Sequence, residues 1–425
     1  MVLAGEGIAD ITPANGTVLA GFHYPPDKER TVSAIRQAPK VRALALRVND
    51  TSAIILSIDA ASLSRDFSAE LQRRVEKATG VPAAHVRACA THTHSMPALR
   101  PFLQWGSVSD VFRDLVYARA AEAAAAAVND LSEADCYIGA QRVEGGNFNR
   151  TTKTWKNDDA FTAQSTDDER WLDTLLQALY FQRAENKKPL LWYHFCAHPV
   201  CYQDTQAGPD WPGIVAEHVI PEPGFLQGHI GDVNPGDGTK WIGDPMQTAQ
   251  AIGPALHHAM GHGDIVEVDE LRIVNGTVDL PFDMERFRAD IETYKAQPEK
   301  CVDGVWVDAG FATAWSELAA KWDTNKTSYE APVSAMRLGN VAFLFHPAEL
   351  YSFYGLQLRA TAPFPNVLAV GYCDDFVGYL TDLKAYEANE YAAVVVPKIM
   401  GWPPFTTDCA RRFTARCAAL LKALA

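Results

Sequence analysis

The pattern of apolar and polar positions in the first quarter of the chain predicts two strands, a helix and a third strand. The stretch "VRALALRVNDTSAIILSIDA" (residues 41–60) is aliphatic and β-branched on both sides of an Asn49-Asp50 pair, which is typical of a hairpin with a tight turn. Apolar and charged residues at helical spacing then predict a helix from Ser64 to Thr79. The strand "HVRACA" follows and ends shortly before two histidines.

The remaining chain continues to alternate between strand and helix patterns. Strands are predicted in residues 136–143, 171–181, 189–198 and 333–346, with a further strand that enters a Gly-rich loop in 225–238. Helices are predicted over 111–128, 245–260 and 284–297, followed by an irregular Trp-rich stretch and a closing helix capped near Thr406 or Thr407. No internal repeat or low-complexity linker interrupts the pattern. The expected fold class is α/β, with a large mixed β-sheet flanked by helices in a single domain over residues 1–425.

Composition narrows the class of protein further. Acidic residues outnumber basic ones by 52 to 38, and no Lys/Arg-rich run is present, so nucleic acid is not an expected partner. The N-terminus lacks the pattern of a signal peptide and no segment resembles a membrane span, so a cytoplasmic protein without stable membrane insertion is expected. The cysteines form no CxxC pair and most lie in apolar runs, which is typical of reduced buried thiols. They are Cys89, Cys136, Cys196, Cys201, Cys301, Cys373, Cys409 and Cys417.

Several histidines follow predicted strands, where α/β proteins often place their sites. His92 and His94 stand two positions apart, so on extended chain both side chains point to the same side and could meet a metal ion. An HxH pair alone is a weak signal, and two hydrogen-bonded loop histidines are the alternative. His198 ends another apolar strand. His194 would lie about 13 Å from it on that strand and is expected to be a core residue.

Three other stretches carry polar residues that suit a site. The loop "GDVNPGDG" combines Asp232 and Asn234 with glycines that allow the backbone to approach a ligand closely. "HPAELYSFYGLQLRA" places Glu349 at the start of a predicted helix, where an acidic residue also stabilises the helix dipole. Tyr379 and Tyr391 follow, and ordinary packing is the alternative interpretation for both.

Taken in order, the motifs resemble the catalytic domain of the neutral, non-lysosomal ceramidases, which are zinc amidases. The motifs are "GIADITP", "LSIDAASLS", "THTHS", "NFNRTT", "AHP", "GDVNPG", "PAEL" and "GYLT" with two later tyrosines, and they span Gly7 to about Ala392. The resemblance implies one Zn²⁺ per chain. The residues that it implies as zinc ligands are His92, His198, Glu349 and Tyr379.

The resemblance also implies residues that contact the substrate. His94 and Tyr391 match positions that contact the reacting amide, and Arg150 matches a substrate-contacting arginine. Asp232 is an alternative to His94 for proton transfer, and His229 is included as a substrate-binding residue. His346, three residues before Glu349, is expected to be a core histidine, with contact to a zinc ligand or to the substrate as alternatives.

Besides the local departures at His229 and His346, the chain differs from the family at three places. Asn234 occupies the position of a family serine held to act as nucleophile or to contact the scissile bond, and an amide cannot attack a carbonyl. Asn234 could instead donate a hydrogen bond to an oxyanion, together with Tyr391. "MPALRP" replaces a small Gly-rich turn after "THTHS", and the immunoglobulin-like C-terminal domain of the family is absent from this sequence.

These features predict a zinc-dependent hydrolase that cleaves an amide, ester or lactone in a small soluble substrate, with zinc-bound water as nucleophile. The alternatives are a zinc-dependent lyase or isomerase, a ceramidase proper, and a non-catalytic zinc-containing binding protein. The walls of the substrate pocket are expected to come from residues 21–26, 99–107 and 305–322. A homo-oligomer is compatible with the sequence.

Overall fold

Strands and helices alternate along the chain in the computed structural model, which describes residues 1–25, 27–184, 186–301 and 309–425. The strands in this part of the chain are β1 (Val2–Asp10), β2 (Ala34–Ile35), β3 (Lys40–Val48), β4 (Thr51–Ile58), β5 (Val86–Ala90), β6 (Ser132–Arg142), β7 (Asn147–Asn149), β8 (Lys156–Asn157), β9 (Trp171–Leu172), β10 (Leu175–Arg183), β11 (Leu190–Phe195), β12 (Gln206–Ala207), β13 (Gly224–Gln227), β14 (Val233–Pro235), β15 (Asp264–Ile265), β16 (Leu271–Pro281), β17 (Ser328–Leu338), β18 (Val341–Phe345), β19 (Ala348–Leu350), β20 (Asn366–Val370) and β21 (Gly378–Leu380).

The helices lie mainly between the strands. The α-helices of the described residues are α1 (Arg65–Thr79), α2 (Asp110–Asn129), α3 (Trp211–His218), α4 (Pro245–Gly261), α5 (Met284–Ala296), α6 (Ala309–Ala319), α7 (Ser352–Thr361), α8 (Leu383–Glu387), α9 (Tyr391–Val394), α10 (Val396–Met400) and α11 (Cys409–Leu424). Short 3₁₀ helices cover Ala83–His85, Asp158–Ala160 and Pro298–Cys301.

Two mixed sheets pack against each other. The large sheet has the strand order β13-β11-β10-β6-β1-β3-β4-β5, with β15 paired to β6, and it contains both parallel and antiparallel pairs. A four-stranded sheet has the order β16-β17-β18-β20. The predicted α/β class with a large mixed sheet is therefore confirmed. The second sheet was not predicted, because nothing local in sequence shows that β16, β17, β18 and β20 pair apart from the first sheet.

The alternation of side chains along β3 shows how the layers form. Leu44 and Leu46 belong to an apolar cluster that includes Met336 and Phe343 of the second sheet, whereas Ala43 and Ala45 join the cluster formed with α1 and α2. Successive strand residues point to opposite faces, so one strand supplies both layers. The result is a four-layer arrangement in which helices cover the outer face of each sheet.

The alanine-rich helix α2 lies unusually close to β1. A Cβ atom at Gly5 would come within 2.2 Å of the Ala127 carbonyl oxygen, and one at Gly7 within 2.0 Å of the Ala123 carbonyl oxygen. Only glycine leaves room for a helix backbone at these distances. The close contact between α2 and β1 thus depends on small residues on both surfaces, alanines on the helix and glycines on the strand.

The large sheet curves until its two edges approach each other. Ser57 on β4 donates its hydroxyl to the Phe225 carbonyl on β13 (2.6 Å), and the Gln227 side chain at the end of β13 donates to the Thr91 carbonyl just after β5 (3.0 Å). Segments that follow strands on opposite sides of the sheet are thereby brought together. This closure positions the site described below.

Most predicted elements agree with the structure, and several differ. The strand predicted over residues 171–181 is divided into β9 and β10, and the closing helix begins at Cys409 with Asp408 as its N-cap, not Thr406 or Thr407. The hairpin of β3 and β4 and the Ser64-capped helix α1 are confirmed. Glu349 was predicted at a helix start, but it lies in β19 and the helix α7 begins at Ser352. The Trp-rich stretch was predicted to be irregular, but Ala309–Ala319 forms helix α6; residues 305–308 lie outside the described residues.

Composition also predicted that the chain has no membrane span and that its cysteines are reduced. Among the described residues, the helices are all too short or too polar to cross a bilayer. The cysteines whose side chains the structure describes are buried and carry free thiols. That state agrees with the predicted reduced thiols.

Candidate metal centre

Three histidines from two chain segments meet where the edges of the large sheet approach each other. His92 and His94 follow β5, and His198 follows β11. The Nε2 atoms of His92 and His94 are 3.2 Å apart, and the His92 and His198 ring centroids are 4.9 Å apart. One nitrogen from each of the three rings lies within 4.8 Å of the others. The structure therefore brings the predicted pair and His198 together.

His92 does not lie on extended chain as the sequence suggested. Its φ angle is 64°, in the left-handed region that residues with a Cβ rarely adopt. The backbone N–H of His92 donates to the Ala60 carbonyl (3.1 Å), and its ring Nδ1 donates to the Ala61 carbonyl (2.6 Å). The sharp turn at His92 is thus fixed by two hydrogen bonds to the segment after β4.

Backbone carbonyls set the tautomers of His92 and His198. Nδ1 of His198 lies 3.1 Å from the carbonyl oxygens of both Ile230 and Val233, as Nδ1 of His92 lies beside Ala61. A carbonyl only accepts, so each Nδ1 carries the proton and each Nε2 keeps its lone pair. Nε2 of His198 is buried and has no hydrogen-bond partner in the described residues. A metal ion would satisfy this nitrogen, and carbonyl-bound Nδ1 is the usual arrangement in metal-ligating histidines.

A carboxylate faces both of these Nε2 atoms. Glu349 Oε2 lies 3.4 Å from Nε2 of His92 and 3.7 Å from Nε2 of His198. The short parallel ladder between β19 and β21 pairs Glu349 directly with Tyr379. Paired residues on neighbouring strands point to the same side of the ladder, so the predicted carboxylate and tyrosine ligands arrive together.

Burial and nearby charges control protonation at the site. Burial, together with the charges of Arg150 and His92, holds the pKa of His198 well below its ordinary value, so its imidazole is neutral as a metal ligand must be. Burial raises the pKa of Tyr379 well above its ordinary value, and Arg150 opposes that rise. Arg150 Nη2 donates to the Tyr379 hydroxyl at 2.6 Å. The guanidinium therefore favours negative charge on the tyrosine oxygen.

Tyr372 is a site residue that no sequence pattern indicated. Its ring stacks on His92 with centroids 4.2 Å apart and planes 25° apart, and its hydroxyl donates to Glu349 at 3.3 Å. Its φ angle is 60°. Tyr372 lies in the stretch "VGYCDD", which contains no recognisable motif. A left-handed backbone angle and a stacking partner that is distant in sequence leave no local pattern.

Removing the Tyr372 hydroxyl is expected to weaken zinc binding while leaving the fold intact. In Tyr372→Phe, Glu349 loses a hydrogen bond that orients its carboxylate, so we expect zinc affinity to fall about tenfold. Competition with a chromophoric chelator measures this change. Tyr329→Phe is the matched control, since that hydroxyl donates to Asp375 outside the histidine cluster. Equal affinities in the two variants would show that Tyr372 does not orient the carboxylate.

The side chains of Asp232 and His229, which were predicted to act at the site, contact other protein groups. Both carboxylate oxygens of Asp232 are engaged, one by the backbone and side chain of Ser352 and the other by Asn149. His229 is buried and lies 2.9 Å from Asp173, with Gly355 against its ring. His346 is fully buried in the core, where the prediction placed it.

Asn234 is also fully buried, and its contacts are with protein groups. Its Nδ2 donates to the Trp241 carbonyl (2.5 Å), and its Oδ1 accepts from Arg150 Nη1 (3.4 Å). Arg150 further donates to the Gly231 carbonyl (2.8 Å). Asn234 therefore links the Trp241 loop to the guanidinium that contacts Tyr379.

A cleft of about 540 Å³ opens onto the histidine cluster, a volume typical of small-molecule sites. Phe22 and Trp105 come from two of the loops predicted to form the walls, and Trp241 adds a third aromatic side chain. His94, Arg150, Tyr379 and Tyr391 line the inner part of the cleft. A narrower pocket of about 50 Å³ continues from it to His92 and Glu349.

The comparisons with known proteins concern the N-terminal region and the overall fold. Residues 2–208 match the family model described as neutral/alkaline non-lysosomal ceramidase, N-terminal. The structure is similar to that of neutral ceramidase from Pseudomonas aeruginosa, with a TM-score of 0.75 and 16% sequence identity over 100% of this chain and 74% of that chain. A ceramidase complexed with C2 gives a TM-score of 0.75 and 17% identity over 100% of this chain and 75% of that chain. A search of curated protein sequences finds no match.

The resemblance predicted from the motifs is thus confirmed. The model of the neutral ceramidase family matches the N-terminal region, residues 2–208, and the fold similarity to neutral ceramidase extends over the rest of the chain. The matched region contains His92, His94 and His198, whereas Glu349 and Tyr379 come from the part of the chain beyond it. The two regions supply the predicted ligand set together.

Proposed function

We propose that this protein is a zinc-dependent hydrolase that cleaves an amide, ester or lactone bond in a small soluble molecule. The observation that carries the proposal is the convergence of Nε2 of His92 and Nε2 of His198 on Glu349 Oε2, at 3.4 and 3.7 Å, beneath a cleft. Two imidazoles with fixed tautomers, a carboxylate and a tyrosine oxygen are a donor set that suits Zn²⁺. The ceramidase-like fold and N-terminal region support hydrolysis as the reaction class.

Different side chains around the histidine cluster have different roles in the proposed hydrolysis. Zinc, when bound, would polarise a carbonyl group and lower the pKa of a water molecule. His94 lines the cleft beside His92 and is assigned proton transfer to and from the reacting group. Tyr391, whose hydroxyl accepts a hydrogen bond from Trp105, is assigned the contact with the oxyanion.

Arg150 and Asn234 have positioning roles in this proposal. Arg150 holds the Tyr379 hydroxyl at 2.6 Å and lines the cleft, so it contacts both a ligand and the substrate space. Asn234 was predicted to contact the oxyanion, but it does not line the cleft. Its side chain instead fixes Arg150 and the Trp241 loop, which aligns the cleft wall with the ligands.

Ceramide hydrolysis is a second candidate, and the aromatic walls of the cleft favour it. Phe22, Trp105 and Trp241 offer apolar surface that an acyl chain could contact. The same surface also suits the apolar part of a small N-acyl compound or ester, for which a cleft of about 540 Å³ is large enough. A panel that compares a short N-acyl amino acid, an aryl ester, a lactone and ceramide in mixed micelles separates the two candidates.

Isotope labelling separates hydrolysis from the lyase or isomerase reaction. In ¹⁸O-labelled water, a hydrolase places one labelled oxygen in the carboxylate product of each turnover, whereas elimination or isomerisation places none there. Mass spectrometry of the product measures the label. Turnover without ¹⁸O in product would exclude the hydrolase.

Replacing His94 is expected to separate catalysis from metal binding. His94→Gln removes the proton-transfer group, so we expect kcat to fall roughly a hundredfold or more while zinc content stays unchanged. Metal analysis and steady-state kinetics on the best substrate of the panel measure both quantities. His257→Gln, in the exposed part of α4, is the control and should change neither. Loss of zinc in His94→Gln would make His94 a ligand, and unchanged kcat would remove it from catalysis.

A further inference from the structure

Two buried cysteines face each other beside the candidate metal centre. Cys89 lies in β5 and Cys373 follows β20, and their sulfur atoms are 2.9 Å apart. The two residues are 2% and 1% exposed. This separation is shorter than an ordinary non-bonded contact between two sulfur atoms, although 284 residues of sequence separate the two cysteines.

The backbone around the two cysteines has the geometry that a disulfide needs. Cys89 and Cys373 form an isolated antiparallel bridge. The Ala90 N–H donates to the Tyr372 carbonyl (3.1 Å) and the Asp374 N–H donates to the Ala88 carbonyl (2.8 Å), so the cysteines occupy the non-hydrogen-bonded position between these two bonds. Residues at such positions have Cα atoms about 4.5 Å apart, within the range of about 4.4–6.8 Å that disulfides span.

We propose that Cys89 and Cys373 are a modification site that forms a disulfide when the chain folds in the presence of a low-molecular-weight disulfide such as oxidised glutathione. One cysteine thiolate attacks a sulfur of oxidised glutathione and releases one reduced glutathione. The second cysteine thiolate then attacks the mixed disulfide and releases another. The two cysteine thiols are oxidised, the glutathione disulfide is reduced, and both thiol protons pass to the departing glutathione thiolates.

The exchange belongs to folding rather than to the finished protein. Burial raises the pKa of the Cys373 thiol well above its usual range, and oxidised glutathione has no access to either sulfur once both are buried. The antiparallel bridge brings the two segments together as the chain folds. The exchange therefore requires that the two segments meet before the cysteines become buried.

The disulfide would join two segments that hold the candidate metal ligands. Cys89 lies three residues before His92. Cys373 directly follows Tyr372, which stacks on His92 and donates to Glu349. A covalent link at this position restrains the unfolded chain and fixes Tyr372 against His92. The link itself does not depend on the proposed function, and its formation can be measured without any substrate.

To test the proposal, the full chain is produced by cell-free synthesis and allowed to fold in an oxidising glutathione buffer. A second sample is produced in the same way with a reducing agent. Free thiols are alkylated in denaturant, and the digests are compared by mass spectrometry without reduction. We expect a Cys89–Cys373 linked peptide, two hydrogen masses below the sum of its parts, in most molecules from the oxidising buffer. Cys136 on β6 and Cys417 on α11 serve as internal controls and should be alkylated throughout.

A second measurement tests whether the disulfide raises the thermal stability of the protein. Oxidised wild-type protein should melt roughly 3–8 °C above reduced wild-type protein, and Cys373→Ser should show no such difference between the two buffers. Complete alkylation of Cys89 and Cys373 in folded protein from the oxidising buffer would overturn the proposal. So would a failure of the wild-type chain to fold in that buffer, or a link without any gain in Tm.

Discussion

Replacing His198 with alanine is expected to reduce zinc in the purified protein from about one ion per chain to less than roughly a tenth of that value. Nε2 of His198 is buried and faces Glu349, and the Cβ of alanine offers no ligand atom. The three remaining ligands would leave the ion with an incomplete shell that bulk water cannot readily fill at a buried position. Metal analysis after gel filtration measures the change, and circular dichroism checks that the fold is kept.

A matched control is available on β11, the strand that precedes His198. His194 lies in β11, is as buried as His198, and uses Nε2 to contact the Ala369 carbonyl (3.0 Å). His194→Gln keeps a donor for that carbonyl and should retain zinc. The zinc site would be misassigned if His198→Ala kept a full complement of zinc, or if both variants lost it to the same extent.

The largest effect on stability is expected at a position far from the cleft. In Gly7→Ala the new Cβ would lie 2.0 Å from the Ala123 carbonyl oxygen, which belongs to the backbone of α2 and cannot rotate away. The helix must shift from β1 and open contacts along its length. We expect the free energy of unfolding to fall by about 3 kcal/mol or more, measured by urea denaturation.

The same substitution at Gly261 should have the opposite sign. Gly261 is the last residue of α4, and apart from its chain neighbours a Cβ there meets no atom within 4 Å. Alanine then adds helix propensity without a clash, for an expected gain of about 0.5–1 kcal/mol. A neutral or stabilising result for Gly7→Ala would mean that α2 does not approach β1 as closely as the structure shows.

The sequence predicted the long elements better than their arrangement in space. The hairpin of β3 and β4 and the helix α1 have long, regular patterns, and both were located correctly. Glu349 was misplaced because β19 has three residues, too few to show a strand period before the strong helical pattern of α7 begins. The convergence of His92 and His198 depends on the curvature of a whole sheet, which no local pattern records.

Polar residues in the Gly-rich loop were the hardest to interpret from sequence. Asp232 and Asn234 were both expected to act on a substrate, yet their oxygens accept hydrogen bonds from Ser352 and Arg150. His229 likewise faces Asp173. A polar residue that forms hydrogen bonds within a loop and a polar residue that contacts a ligand look the same in the sequence. Only the position of each side chain in three dimensions distinguishes them.

The pairing of Glu349 with Tyr379 has a consequence for redesign of the candidate metal site. The two residues are direct partners in a ladder of three residue pairs, Ala348 with Gly378, Glu349 with Tyr379 and Leu350 with Leu380. An insertion or deletion of one residue in either strand would turn its ligand to the opposite face. Metal preference should therefore be altered by exchanging side chains at these two positions as a pair, with the lengths of both strands held constant.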